Sequence, residues 1–138
     1  MVERSLRRSR ILVAEDEYLL ADELRMELTD AGAVVLGPVG TVGRAADLVQ
    51  RETRIDGAIL DVNLGGEMVY PVADLLVGRD TPFVFTTGYD ASAIPSRYDH
   101  VPRYEKPVSM VELMEALARI MNHGIGLQGR ASDRSSDR

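Results

Sequence analysis

Five chemically active positions stand where apolar runs of this chain stop. Ile11-Leu12-Val13-Ala14 leads into Glu15-Asp16, Ala58-Ile59-Leu60 leads into Asp61, and Phe83-Val84-Phe85 with Thr86 leads into Thr87. Lys106 follows a short stretch from Val101 to Glu105. Three carboxylates, a hydroxyl and an ammonium therefore sit at the ends of elements. Carboxylates held together repel one another unless a cation intervenes, and oxygen donors suit a hard divalent metal. The chemistry this set could do is metal-assisted phosphoryl chemistry, provided one crevice gathers it.

The elements predicted around these residues would do so. Short apolar runs alternating with helical patterns read as buried strands of a parallel α/β sheet. Groups at the carboxyl ends of such strands converge. Leu20, Ala21, Leu24, Leu28 and Ala31 recur at helical spacing, and Gly32 terminates that helix. Ala33–Leu36 is the second strand, broken by Gly37-Pro38. Thr41 caps a helix that buries Val42, Ala45, Ala46 and Val49. The third strand ends at Asp61-Val62-Asn63. Gly65-Gly66 gives a flexible loop, and Val69, Val72, Ala73 and Leu76 share one face of a third helix.

Thr81-Pro82 opens the fourth strand. Pro95 limits any helix in Asp90–Asp99 to about one turn. Pro102 suits an edge strand, so the fifth strand belongs at an edge. Ser109 and Glu112 fit a capping box on a last helix burying Met110, Leu113, Leu117 and Ile120. The prediction is a three-layer α/β sandwich with a five-stranded parallel sheet, helices on both faces, and the fourth helix short or absent.

Composition narrows the function. At 138 residues the chain suits one domain with one core. It has no cysteine, which excludes disulfides and thiolate metal sites. The net charge of −6 argues against a general nucleic-acid binder. No long apolar segment or signal-like stretch occurs, so a cytoplasmic location and no membrane association are expected. Residues 1–9, with Arg4, Arg7 and Arg8, read as a disordered basic start. Residues 10–122 form the domain. Residues 123–138, rich in Gly, Ser, Asp and Arg, read as a disordered tail. The stretch after Met121 is too short for an output domain.

The ordered set Glu15-Asp16, Leu60-Asp61-Val62-Asn63, Thr87-Gly88 and Lys106-Pro107 resembles the receiver domain of two-component response regulators. The resemblance spans Ile11 to about Met121. Pro82-Phe83-Val84-Phe85-Thr86-Thr87-Gly88-Tyr89 is similar to stand-alone receivers with a Phe-Ala-Thr-Gly-type motif, with Thr86 where Ala is usual. The resemblance implies a flavodoxin-like fold with strand order 2-1-3-4-5 and a cis Lys106–Pro107 bond. It makes Asp61 the phosphoacceptor. Asp16, Asp61 and the Asn63 carbonyl would hold Mg²⁺ directly, and Glu15 through water. Thr87 would donate to the phosphoryl group and Lys106 would pair with it; Glu17 is left out of the site. The expected donor is a sensor histidine kinase or histidine phosphotransfer protein, and a downstream protein target would read the outcome.

The pattern departs from the family at two places. The loop after Asp61 reads Asn63-Leu64-Gly65-Gly66-Glu67 where a Pro and a Met-Asp-Gly-like run are usual. The switch aromatic three residues before the lysine is replaced by Arg103, while Tyr104 should face the other way. Movement of the Asp90–Pro102 segment is the expected route of signalling. His100 and His123 read as solvent-facing bystanders, and Tyr18 and Tyr89 flank the crevice with packing as their expected role.

Three rivals are weighed. A phosphorylation-independent pseudo-receiver would usually lack the acidic pair, Asp61 or the lysine, and all are present. An aspartyl-phosphate phosphatase would want an acid where Asn63 stands. A nucleotide-binding domain would want a glycine-rich loop where Glu15-Asp16-Glu17 stands.

Overall fold

A computed structural model describes residues 5–88 and 93–123. In chain order the elements are β1 (Arg10–Ala14), α1 (Tyr18–Asp30), β2 (Val34–Val39), α2 (Val42–Arg51), β3 (Gly57–Asp61), β4 (Asn63–Leu64), β5 (Glu67–Met68), α3 (Tyr70–Gly78), β6 (Phe83–Thr87), β7 (Arg103–Glu105) and α4 (Met110–His123). The main sheet runs β2-β1-β3-β6-β7 with every pair parallel. Numbered along the chain without the short β4–β5 pair, this is the order 2-1-3-4-5, with β7 at an edge.

Strand alternation sorts the core into two layers. Leu12, Leu60, Phe83 and Phe85 pack with Leu48 and Val49 of α2 and Leu76 of α3. On the other face, Ile11, Val13, Ile59 and Val84 pack with Leu24 and Leu28 of α1 and Leu113 and Leu117 of α4. The fold is the three-layer flavodoxin-like sandwich. The central strand β3 is buried at all five residues, which is why its sequence is a continuous apolar run ending in one acid.

Local structure differs from expectation at three places. The second strand does not stop at Gly37-Pro38 but continues to Val39. It is an edge strand, so the N–H that Pro38 lacks is not needed, and Gly37 takes φ +101 at a register irregularity opposite β1. Gly65-Gly66 is not a loose loop but the turn of the β4–β5 hairpin. Both glycines have positive φ (62 and 89), as a tight primed turn requires, and a Cβ on Gly65 would lie 2.8 Å from the Gly40 carbonyl.

Where the fourth helix is expected to be short or absent, the described residues form only a 3-10 turn, Ser96–Tyr98. The domain also begins before Arg10: Leu6 is buried, and the Arg8 amide donates to the Gly32 carbonyl at 2.7 Å. Residues 1–4 and the tail from 124 lie outside the described residues.

Two helix starts behave as predicted. The Thr41 hydroxyl accepts from the Arg44 amide at 3.1 Å, and the Ser109 hydroxyl accepts from the Glu112 amide at 3.2 Å. Each satisfies an otherwise orphaned N–H. Thr41→Ala should cost about 1 kcal/mol of unfolding free energy in urea titration. An unchanged midpoint would mean that water replaces the cap without loss.

Candidate functional site

The carboxyl rim of the sheet is where the polar residues meet. The register sets Ala14 beside Leu60, Asp61 beside Thr86, and Thr86 beside Tyr104. Glu15 follows β1 directly, so Glu15, Asp61, Thr86 and Tyr104 make a row across four neighbouring strands. Glu15 and Asp61 are buried at 3% and 4% exposure, whereas Asp16 is exposed. Carboxylate oxygens of Glu15, Asp16 and Asp61 lie within 4.8 Å of one another.

Lys106 reaches across the rim to these acids. Its Nζ donates to Asp61 Oδ2 at 2.9 Å, Glu15 Oε2 at 3.1 Å and Glu17 Oε1 at 3.2 Å. All three ammonium protons are thereby used. The Lys106 amide also donates to the Thr87 carbonyl at 2.8 Å, which fixes the start of the reach against β6. The Lys106–Pro107 bond is cis.

Electrostatics follow from burial. Burial is the main cause that pushes the Glu15 carboxyl up to about 7; the Asp61 charge adds to this, and the Glu17 amide and Lys106 oppose it. Burial likewise raises Asp61, against hydrogen bonds from Lys106 and the Asn63 amide. For Lys106, burial pulls the ammonium down, but its bonds to Asp61 and Glu15 outweigh that and the net direction is up. Two buried acids and one ammonium form a coupled set whose charges depend on one another.

A cavity of about 420 Å³ opens over this set, lined among others by Asp16, Asp61, Asn63, Thr87, Lys106 and Tyr70. Thr87 is buried and lines it, while Thr86, also buried, does not. Asn63 opens the β4–β5 hairpin. Its side-chain oxygen accepts from the Gly66 amide at 3.1 Å, and its own amide donates to Asp61 Oδ1 at 3.3 Å. The hairpin therefore holds the segment after Asp61 close to the carboxylate.

Several residues were missed or misread. Glu17, left out in the sequence reading, belongs to the lysine's shell. Its backbone is extended (φ −76, ψ 115), and its carboxylate and that of Glu15 both reach the Lys106 ammonium; the i, i+2 spacing was the available signal. Met68 and Tyr70 line the cavity because of a hairpin that the sequence reading took for a loop. Tyr18, expected to pack, is 80% exposed beside 81% exposed Leu19. Tyr89 lies outside the described residues, as does the His123 side chain; His100 is exposed.

Arg103 occupies the usual aromatic position and donates from Nη2 to the Tyr98 carbonyl at 2.8 Å. Tyr104 packs against the α1/α4 layer, away from Thr87. Tyr98 is a buried aromatic packed behind Tyr70, which lines the cavity. It stacks on Tyr70 with centroids 5.4 Å apart and donates its hydroxyl to Asp74.

The donor set can be tested for a hard cation. The three carboxylates offer oxygen only, and Glu15 Oε1 is buried without a hydrogen-bond partner among the described residues. A buried carboxylate oxygen with no donor is what a metal or its water would satisfy. The set fits Mg²⁺.

No model of a known protein family matches the sequence, and no curated protein matches it. Solved structures do. The solution structure of SdrG from Sphingomonas melonis Fr1 is 37% identical, covers 88% of this chain and 99% of its own, and superposes with a TM-score of 0.71. The BeF3-activated conformation of SdrG from Pseudomonas melonis Fr1 is 41% identical, with 83% and 98% coverage and a TM-score of 0.68. A response regulator receiver protein from Sinorhizobium medicae WSM419 is 26% identical, with 86% and 98% coverage and a TM-score of 0.72.

Proposed function

The chain belongs to the receiver-domain family of response regulators, and from that premise we propose that Asp61 accepts a phosphoryl group in the presence of Mg²⁺. Receiver domains are signalling proteins rather than classical enzymes. The observation that carries the reading is the meeting of Glu15, Asp16 and Asp61 under the Lys106 ammonium. The Phe-Ala-Thr-Gly-like stretch fits a stand-alone member of the family.

The reaction is a displacement at phosphorus. An Asp61 carboxylate oxygen forms a bond to phosphorus while the bond to the donor breaks, and the donor keeps that electron pair. With a phosphohistidine donor the bond that breaks is N–P, and the product on Asp61 is an acyl phosphate. Asp16, Asp61 and the Asn63 carbonyl would hold Mg²⁺, with Glu15 behind them. When bound, the metal neutralises negative charge that phosphoryl oxygens bring to the acids.

The chain's own residues do the rest. The Asn63 amide and Lys106 orient the Asp61 carboxylate. Thr87, at the end of β6 and lining the cavity, donates its hydroxyl to a phosphoryl oxygen, and Lys106 turns its ammonium toward the new charge. A phosphoryl group adds about −1.5 to −2 charges and three acceptor oxygens. Meeting them draws the β6 and β7 ends inward, which alters the surface offered to partners.

The donor is a histidine kinase or histidine phosphotransfer protein, and the reader is a downstream protein. Tyr18 and Leu19, exposed beside Lys106 and Pro107, leave the rim open to such a donor. No helix among the described residues is long and apolar enough to cross a membrane. The test is incubation with Mg²⁺ and a small acyl-phosphate donor, followed by intact-mass measurement. One added phosphoryl group is expected, and none when EDTA replaces Mg²⁺. No gain under either condition would replace this reading with that of a phosphorylation-independent interaction module.

A further inference from the structure

Thr86 is fully buried, and its Oγ1 has no hydrogen-bond partner among the described residues. A buried hydroxyl left unpaired is a cost that an apolar side chain would avoid. Thr86 is the Cα partner of Asp61 on β3 and of Tyr104 on β7. Partners in a parallel ladder project to the same face, so the Thr86 and Asp61 side chains share the α1/α4 side of neighbouring strands. β6 lies between β7 and β3, so Lys106 spans the end of β6 to reach Asp61.

At present Asp61 needs no further donor. Oδ1 accepts from the Asn63 amide and Oδ2 from Lys106. Three new phosphoryl oxygens compete for the same ammonium, whose protons are already spent. With phosphorus on Oδ1, the turn of Lys106 toward them leaves Oδ2, the unphosphorylated oxygen of Asp61, without a side-chain donor. We infer that Thr86 is a positioning residue of the phosphorylated state, its hydroxyl donating to the Asp61 acyl oxygen that Lys106 releases. This rests on the reading of Asp61 as phosphoacceptor.

The bond has a kinetic consequence. In hydrolysis, water's oxygen bonds to phosphorus and the Asp61 O–P bond breaks. Its electron pair returns to the carboxylate, and the water proton leaves with the phosphate or solvent. Negative charge therefore grows on the Asp61 oxygens, and a hydroxyl donating to one of them binds more strongly as the reaction proceeds. The Thr86 hydroxyl shortens the life of the acyl phosphate.

The experiment loads the full chain with Mg²⁺ and a small acyl-phosphate donor, removes the donor, and follows loss of the phosphoryl group by intact mass. Thr86→Val should extend the lifetime about threefold or more and raise the melting temperature of the unmodified protein. Thr86→Ser, which keeps the hydroxyl, should stay within about twofold of the parent. If the valine variant folds poorly, Thr86→Ala must show the same lengthening. A hydroxyl-free variant with the parent's lifetime, or a serine variant as slow as valine, overturns the assignment. A parent that takes up no phosphoryl group fails at the earlier step and removes the premise as well.

Discussion

Asp61→Asn should take up no phosphoryl group under conditions that load the parent, a drop on the order of 10²-fold or more in the modified fraction. The substitution keeps the shape of the side chain and removes the nucleophile. The amide nitrogen's electron pair is delocalised into the carbonyl, and the carbonyl oxygen carries no full charge with which to attack phosphorus. The fold should survive. Asn keeps one acceptor oxygen, enough for either Lys106 or the Asn63 amide but not both, and in exchange one of the close-set negative charges is gone. Unfolding free energy is therefore expected within about 1 kcal/mol of the parent. Intact mass together with urea titration separates the two effects. A variant that still gains one phosphoryl group would move the acceptor to Glu15 or Asp16, and the site would need a different account.

Lys106→Ala should destabilise the metal-free protein, and by an amount that depends on pH. The lysine side chain is 16% exposed, while those of Glu15 and Asp61 are 1% and 5% exposed. Removing the ammonium leaves two buried acids without their counter-charge. The expected cost at pH 8 in EDTA is about 2–4 kcal/mol, toward the low end for a broken buried pair because the acids can take up protons instead. The sign of the pH effect follows from the direction of their shifts. Glu15 already stands at about 7 in the fold against its ordinary 4.5, and Asp61 is also raised.

Groups raised on folding bind more protons in the native state than in the unfolded one. Stability then falls as pH rises through the window from the ordinary value to the folded one. For Glu15 that window runs from 4.5 to about 7, and loss of Lys106 extends it upward. Urea midpoints at pH 5.5 and pH 8 should therefore differ more in the variant than in the parent. Mg²⁺ should restore more stability to the variant, because its charge replaces the missing ammonium. Equal midpoints for variant and parent at both pH values would mean that water already screens the acids. The lysine would then matter to the phosphoryl group alone.

Much of this was legible in the chain. Continuous apolar runs such as Gly57–Leu60 have no polar face to turn outward, so they had to be central strands with an acid only at the end. Helix patterns around Leu24, Val49, Leu76 and Leu117 marked the buried faces, and Thr41 and Ser109 marked two helix starts through their side-chain oxygens. Pro102 foretold the edge at β7.

What local pattern could not supply were effects whose cause lies elsewhere in space. Gly37-Pro38 looked like a break because Pro38 cannot donate; only its place on the outermost strand makes that harmless. Gly65-Gly66 looked loose because glycine permits many conformations. The Gly40 carbonyl, a neighbour far away in the chain, leaves room at Gly65 for little but glycine. Glu17 looked like a solvated helix start until Lys106 arrived from the far side of the sheet.

The chain by itself determined which residues could do chemistry and which strand ends would carry them, because burial demands leave a periodic trace in sequence. Tertiary structure alone decided how the charges are shared. One ammonium spanning the end of β6 serves Asp61, Glu15 and Glu17 at once, and the buried Thr86 hydroxyl has no partner among the described residues. Distances across neighbouring strands set those relations, and no spacing along the chain encodes them.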